Sequence, residues 1–333
     1  MAGFGNKKHR YEKEEKLMKI LKNALLGAGL LISTFAGAAV AWEPEKPIKI
    51  YVGFSPGGGT DIVARSIVAS AQEFFPVPLV VVNRPGAGGV LAAEFVKNQK
   101  ADGYSLLVAG GSESTSVPNH RKVNYDIVED FDGVIRLIRS RLFICAPTDS
   151  EFSTVAELKS VAEANPGKIT YGSSGQGSIT HSAVLVLEKA LGVEFQHVPY
   201  KGGAPAIAAM LGGHVDFTVC GPEDAQAQVA AGNIQLIATS SESRYPGFPD
   251  VPNYKELGYD VSVDNQKGLI APAGTPEEVL QYLHDHFKMG LDSIVWEKMA
   301  GKLKLETSYL SGPDFESNMV EMSAHIGRAV NGE

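Results

Sequence analysis

The chain has 333 residues, 44% of them hydrophobic and 20% charged, with a mean hydropathy of −0.03. That is the composition of a soluble globular protein, and it excludes a disordered chain, a polytopic membrane protein and a collagen-like repeat. The 30 Lys/Arg against 38 Asp/Glu give a net charge of −8; residues 1–41 hold seven basic and three acidic residues, so the remainder carries 23 against 35, an acidic body without a basic stripe that argues against nucleic acid as partner.

The first 41 residues read as an export signal. Lys16, Lys19 and Lys22 precede an apolar run from Ala24 to Gly37, too short to span a bilayer but right for a signal-peptide core. Ala39-Val40-Ala41 supplies a small-x-small cleavage pattern, which predicts cleavage after Ala41, a mature start at Trp42 and a periplasmic location. Met18 would make a normal start, leaving residues 1–17 as a start-site artefact; a single membrane anchor is the competing reading.

Strand-like runs follow at Ile48–Gly53, Leu79–Asn83, Ser105–Gly110, Leu142–Ala146, Ile169–Gly172, Phe195–Tyr200, Val215–Cys220 and Ile234–Thr239. Helical stretches with three-to-four spacing lie between them, as in Ile62, Val63, Ile67, Phe74 and in Ile179, Ala183, Val186, Leu187, Ala190. Thr154-Val-Ala-Glu157 and Thr275-Pro-Glu-Glu278 read as capping boxes, and Phe315, Met319, Met322, Ile326 and Val330 form one stripe of a last helix. Strands alternating with helices predict parallel α/β sheets covered on both faces.

Two turns stand out. The first strand runs into Phe54-Ser-Pro-Gly-Gly-Gly-Thr-Asp61, and the Ile169–Gly172 strand into Ser173-Ser-Gly-Gln-Gly-Ser178; each delivers the chain to a helix start. Unpaired N–H groups and the positive end of the macrodipole attract anions there. Neither loop contains Lys or Arg, so an anion would be held by N–H and hydroxyl donors, each worth roughly 1.5–3 kcal/mol when charge-assisted. The phosphate-loop pattern G-x-x-x-x-G-K-[ST] and the G-x-G-x-x-G fingerprint after the first strand are both absent, so no nucleotide or other cofactor is expected.

Phe54-Ser-Pro-Gly-Gly-Gly-Thr-Asp-Ile-Val-Ala-Arg65, Asn83-Arg-Pro-Gly-Ala-Gly-Gly89 with Asp102-Gly-Tyr-Ser-Leu106, Tyr171-Gly-Ser-Ser-Gly-Gln-Gly-Ser178 with His181, and His197-Val-Pro-Tyr-Lys-Gly202 resemble the Bug-type extracytoplasmic receptors of tripartite tricarboxylate transporters. Arg244 with Val251-Pro252, and Ala271-Pro-Ala-Gly-Thr-Pro276, are similar to the same family, and the resemblance runs over about residues 45–330. It implies an α/β fold of the type II periplasmic-binding-protein (Venus-flytrap) kind, with lobe I at 42–140 plus 238–333, lobe II at 141–237 and the ligand between them. It also implies a small organic carboxylate as ligand, membrane permease subunits as partners and a monomer.

On that resemblance the residues expected at the ligand are Phe54, Ser55, Gly58, Thr60 and Asp61 on the first loop, Ser112 and Ser114 beyond the third strand, and Ser173, Ser174, Gly175, Gly177, Ser178 and His181 on the second loop. Tyr200 and Cys220 complete the set at two further strand ends. Many members carry an acidic residue where this chain has Cys220, so a zwitterionic ligand is less favoured. Ser112–His120 also lacks the family's Asn-Pro pair. The fold places Leu142–Ala146 beside Val215–Cys220, bringing Cys145 toward Cys220; a one-residue register offset would point them to opposite faces, and two thiols are the expectation.

Plainer roles compete. Asp61 and Arg65 are spaced as an i,i+4 pair, His197 in a strand suits a core, and His284 and His286 face different directions on a helix, so no metal site is expected. Serines near His181 suggest a nucleophile and base, but the G-x-S-x-G elbow is absent and serines are common caps; a secreted hydrolase is therefore disfavoured. A ligand-sensing receptor for a membrane signalling partner is the main alternative to transport.

Overall fold

The computed structural model describes Met18 and residues 42–331 other than Glu242 and Val261. The leader reading, Met18 apart, lies outside the described residues. No helix among the described residues is long and apolar enough to cross a membrane.

The chain lays down β1 (Ile48–Val52), α1 (Gly59–Ala71), β2 (Leu79–Asn83), α2 (Val90–Lys97) and β3 (Ser105–Ala109). β1 pairs in parallel with both β2 and β3, and its IKIYV run is buried at four of five positions because helices cover both faces. After β3 come a π-turn at Ser112–Ser116, the short α3 (Val117–His120) and β4 (Phe131–Ser140).

Only Arg141 and Leu142 separate β4 from β5 (Phe143–Pro147), which belongs to a second sheet. There follow α4 (Val155–Ala164), β6 (Thr170–Ser173), α5 (Ile179–Leu191), β7 (Gln196–Pro199), α6 (Gly203–Leu211), β8 (Phe217–Cys220), α7 (Pro222–Ala230) and β9 (Ile234–Thr239). Residues 240–264 lead back to the first sheet through β10 (Asn265–Pro272), α8 (Glu277–Leu291), α9 (Ile294–Leu303), β11 (Glu306–Ser311) and α10 (Gly312–Asn331). The sheets have orders β11-β4-β10-β3-β1-β2 and β7-β6-β8-β5-β9, and each forms the centre of one lobe.

Both sheets are mixed, which corrects the expectation of parallel sheets. β10 runs antiparallel to β3 and β4, and β5 antiparallel to β8 and β9. One face of the second sheet packs Ile144, Tyr171, Phe217 and Val219 against α4 and α5, and takes in Ile326 from α10; the other face buries Phe143, Cys145, Met210 and Cys220. Phe315 and Met319 of α10 pack on the first sheet with Tyr51, Leu107 and Ile270, so one helix is shared by both cores.

Cys145 and Cys220 form a disulfide with Cα atoms 6.2 Å apart, correcting the expectation of two thiols. Phe143 pairs with Cys220 and Cys145 with Thr218. The offset is two residues, so both side chains share a face and meet diagonally. Of the two capping boxes, Thr154 does accept the Glu157 N–H at 3.1 Å. Thr275 instead donates to the Pro272 carbonyl at 2.7 Å, and α8 starts from Pro276 without a side-chain cap.

Candidate functional site

A cleft of about 580 Å³, open mouth included, lies where helix starts from both sheets converge. From the first sheet it is lined by Phe54, Gly58, Gly59 and Thr60 before and in α1, by Gly111, Ser112 and Glu113 after β3, and by Asn265–Lys267 of β10. The second sheet contributes Ser174, Ile179 and Thr180 around the start of α5, Gly203 of α6, and Gly221, Glu223 and Asp224 at the start of α7.

The first glycine loop is braced from behind. Asp61, 2% exposed, accepts the Gly57 N–H and the Arg65 Nε at 2.9 Å each, and the Asn83 Nδ2 at 2.8 Å. Although burial acts against the charge, these bonds hold its carboxyl below the usual carboxylate range. The i,i+4 pair foreseen in the sequence is thus present, with Asp61 turned inward to fix the loop. Ser55 reaches the other lobe, where its N–H and Oγ both donate to the Lys201 carbonyl at 3.0 Å.

In the second loop most donors are already engaged. Ser178 caps α5 by accepting the His181 N–H at 3.3 Å, and His181 Nδ1 accepts the Gly177 N–H at 3.0 Å. Thr180 Oγ1 accepts the Ser174 N–H, Ser173 Oγ that of Gly175, and Ser112 Oγ, across the cleft, that of Ile179. Thr180, the second residue of the helix, lines the cleft with Ser112 and Ser174, and the Ser174 and Thr180 hydroxyls are 3.0 Å apart.

Behind that loop three imidazoles form a column: His120–His181 centroids are 5.4 Å apart and His181–His197 4.0 Å, with Tyr171 4.9 Å beyond His197. His120 comes from the first lobe, the others from the second. Burial, then the neighbouring imidazoles, pushes His181 down to about 3; burial alone takes His197 down to about 4. They are neutral rings in a packed contact. His120 Nε2 and Ser182 Oγ are 2.7 Å apart, and Ser116 Oγ donates to the Gly177 carbonyl at 2.8 Å.

The opposite wall is acidic. Asp224 accepts the Gly59 N–H, the first of α1, and at 3.3 Å the Gly221 N–H. Glu223 pairs with Lys267 and accepts from Ser140 Oγ at 3.0 Å; both partners of the ion pair are almost fully buried and come from different lobes. Burial, with the adjacent Glu223 charge, pushes Asp224 up to about 6. Burial also raises the carboxyl of Glu113, whose Oε1 accepts from Ser114 Oγ at 2.9 Å.

Of the residues singled out in the sequence, Phe54, Gly58, Thr60, Ser112 and Ser174 line the cleft. Ser55, Gly175 and Gly177 lie in contacts between lobes: a Cβ on Gly175 would stand 3.1 Å from the Gly88 N, and one on Gly177 3.1 Å from the His120 Cβ. Tyr200, half-buried, hydrogen-bonds through its N–H to the Ser173 carbonyl. Asp61, Ser114, Ser173, Ser178 and His181 stand behind the lining, and Cys220 is spent in the disulfide. Glu223, Asp224 and Lys267 escaped the sequence reading. Gly221-Pro-Glu-Asp224 is a third strand-to-helix turn that would have flagged the first two, since Pro favours the first helical position and acids the first turn.

Residues 63–331 match the family described as "Tripartite tricarboxylate transporter family receptor". A UPF0065 protein of Cupriavidus necator is 36% identical over 272 residues, 82% of this chain and 83% of that protein. Among solved structures, the periplasmic binding protein BugD superposes with a TM-score of 0.83 at 28% identity, covering 87% of this chain and 98% of its own. The Rhodopseudomonas palustris protein MatC with bound malate gives a TM-score of 0.81 at 27% identity, covering 86% and 99%.

Proposed function

The chain belongs to the tripartite tricarboxylate transporter receptor family, and on that premise we propose that it captures a small organic carboxylate in the periplasm and delivers it to the membrane permease of such a transporter. The observation that carries this reading is the cleft itself. Each lobe contributes a helix start, a hydroxyl cluster and no cationic side chain beyond Lys267, which Glu223 neutralises. A ligand carboxylate then docks against the Thr180 N–H and the Ser112 and Ser174 hydroxyls, where the α5 dipole favours negative charge. The bound malate of the similar protein MatC supports a carboxylate as the class.

The lobe limits 42–140 with 238–333, and 141–237, belong to the same reading, as do cleavage after Ala41 and a monomeric state. Ligand bridging both lobes shifts an open–closed equilibrium toward the closed form that the permease distinguishes. The serines beside His181 serve binding in this scheme and not nucleophilic attack, because Ser178 Oγ caps the helix and His181 Nδ1 is engaged by the Gly177 N–H. A thermal-shift screen of carboxylates tests the capture step: a ligand at 100 times its Kd stabilises by about 2.7 kcal/mol. Loss of uptake of that ligand in a deletion strain tests delivery; uptake intact with a transcriptional response lost would mark a sensor instead.

A further inference from the structure

The cleft walls carry Glu113, Glu223 and Asp224 against Lys267, which lies in a buried pair with Glu223. The first N–H of α1, the group a ligand carboxylate would seek there, already donates to Asp224. A carboxylate of the protein thus stands at one of the two helix starts, held also by the Gly221 N–H and packed so closely that a Cβ on Gly59 would fall 2.6 Å from Asp224 Oδ2. The other helix start lines the cleft with Ile179 and Thr180 and the Ser112 and Ser174 hydroxyls, whose hydrogen bonds run to Ile179 and Thr180 and not to an acid.

We propose that Asp224 sets the specificity of the cleft: it fills the second carboxylate position with a group of the protein, so the favoured ligand is a carboxylate whose far end carries a protonated amine or another N–H-bearing nitrogen. The proposal rests on the carboxylate-receptor reading above and narrows it. The carboxylate end docks at α5, and the nitrogen donates to Asp224, beside the Glu223–Lys267 pair. A dicarboxylate of the same length brings its second negative charge against Asp224 in a partly dehydrated site, where like charges repel far more than in water, while Glu223 is already paired with Lys267. The Cys220 position, which suggested a poor fit for zwitterions, points away into the disulfide; the acid that meets a ligand comes four residues later.

The test uses the purified mature protein at pH 7 and pairs of probes with equal carbon number: 4-aminobutyrate against succinate, and 6-aminohexanoate against adipate. Isothermal titration should give at least tenfold tighter binding for the amine member of one pair or both. Asp224→Asn should cost the amine probe at least tenfold and leave the dicarboxylate's affinity unchanged or higher, with urea unfolding still cooperative. The wild-type comparison stands even where the variant fails to fold. A dicarboxylate that binds as tightly as its amine partner, or a ratio unchanged in Asp224→Asn, would overturn the assignment of Asp224 while leaving the carboxylate reading intact. Binding of neither probe class, nor of any other carboxylate, would remove that underlying reading and this proposal with it.

Discussion

Arg141 and Asp264 tie together the two places where the chain passes between lobes. Arg141 sits in the two-residue link from β4 to β5, and its Nη1 lies 3.2 Å from Oδ2 of Asp264, the last residue before β10. Arg139 pairs with the same carboxylate, and Glu306 accepts from Arg141 Nε at 3.1 Å. Alongside, the Ser240 N–H donates to the Leu142 carbonyl at 2.9 Å. The two crossings are therefore held together by one short, hydrogen-bonded link.

Removing Arg141 should be costly for the fold. Asp264 is buried, and its Oδ1 has no hydrogen-bond partner, so it depends on its two arginines. Breaking a buried pair from one side typically costs 3–5 kcal/mol; with Arg139 still in place, Arg141→Ala should lose about 2–3 kcal/mol in urea unfolding. A loss below about 0.5 kcal/mol would show that Arg139 alone satisfies Asp264.

The disulfide should contribute more. It closes a loop spanning 75 positions, for which the chain-entropy relation gives about 4 kcal/mol. The paired variant Cys145→Ser/Cys220→Ser should therefore unfold about 4 kcal/mol more easily than the oxidised protein. Because Gly221 and the cleft acids follow Cys220 directly, the looser β8 should also weaken ligand binding. Free-thiol counting on the denatured, unreduced protein should find none.

How much of this was legible in the sequence depended on whether the signal was local. Ile234–Thr239 and Leu79–Asn83 read correctly to the residue, because each is a short apolar run bounded by turn formers. β4 did not, since Asp132, Gly133, Arg136 and Arg139 break its apolar run, and their partners lie far away: Arg136 reaches Gln266, Ser308 and Asn318. The glycine loops were visible as helix starts, but the partners of their donors were not. Nothing near Gly59 in the sequence indicates that Asp224, 165 positions on, takes its N–H. The cysteine pairing turned on a register of two against one, which no single strand specifies alone.

Gly177 illustrates the difference. Its glycine-rich turn suggests a place at the ligand, but its φ of +73° and the His120 side chain facing it put it in the contact between lobes. Gly177→Val forces a β-branched residue into the left-handed region and pushes on His120. It should hinder closure and weaken ligand binding at least tenfold, about 1.4 kcal/mol, although no atom of Gly177 lines the cleft. Asn165→Ala, at the far end of α4, should leave affinity unchanged. Wild-type affinity in Gly177→Val would show that the His120 contact is not needed for the bound state.

The imidazole column gives the protein an acid-sensitive stability. His181, 6% exposed, titrates at about 3 in the folded protein and near 6.5 when unfolded. Its pKa is lowered by folding, so the unfolded chain takes up the proton first. The stabilisation is complete above pH 6.5 and is lost as the pH falls toward the folded value. At pH 5 that amounts to about 2 kcal/mol from His181, at roughly 1.4 kcal/mol per pH unit. Asp224 acts in the opposite sense: its pKa is raised to about 6, so the folded state binds the extra proton and gains stability as pH falls from 6 toward 4. Glu113, Glu188 and Asp264, whose carboxyls burial also raises, act in the same sense as Asp224, so the His181 share is isolated by substitution. His181→Asn keeps an acceptor for the Gly177 N–H and removes the titrating ring, so the loss between pH 7 and pH 5 in urea unfolding should shrink by about 2 kcal/mol. An unchanged pH slope in that variant would place the acid sensitivity elsewhere. Asp224→Asn, by contrast, should shift the pH dependence toward lower stability in acid, because it deletes one of the groups that gain a proton on folding.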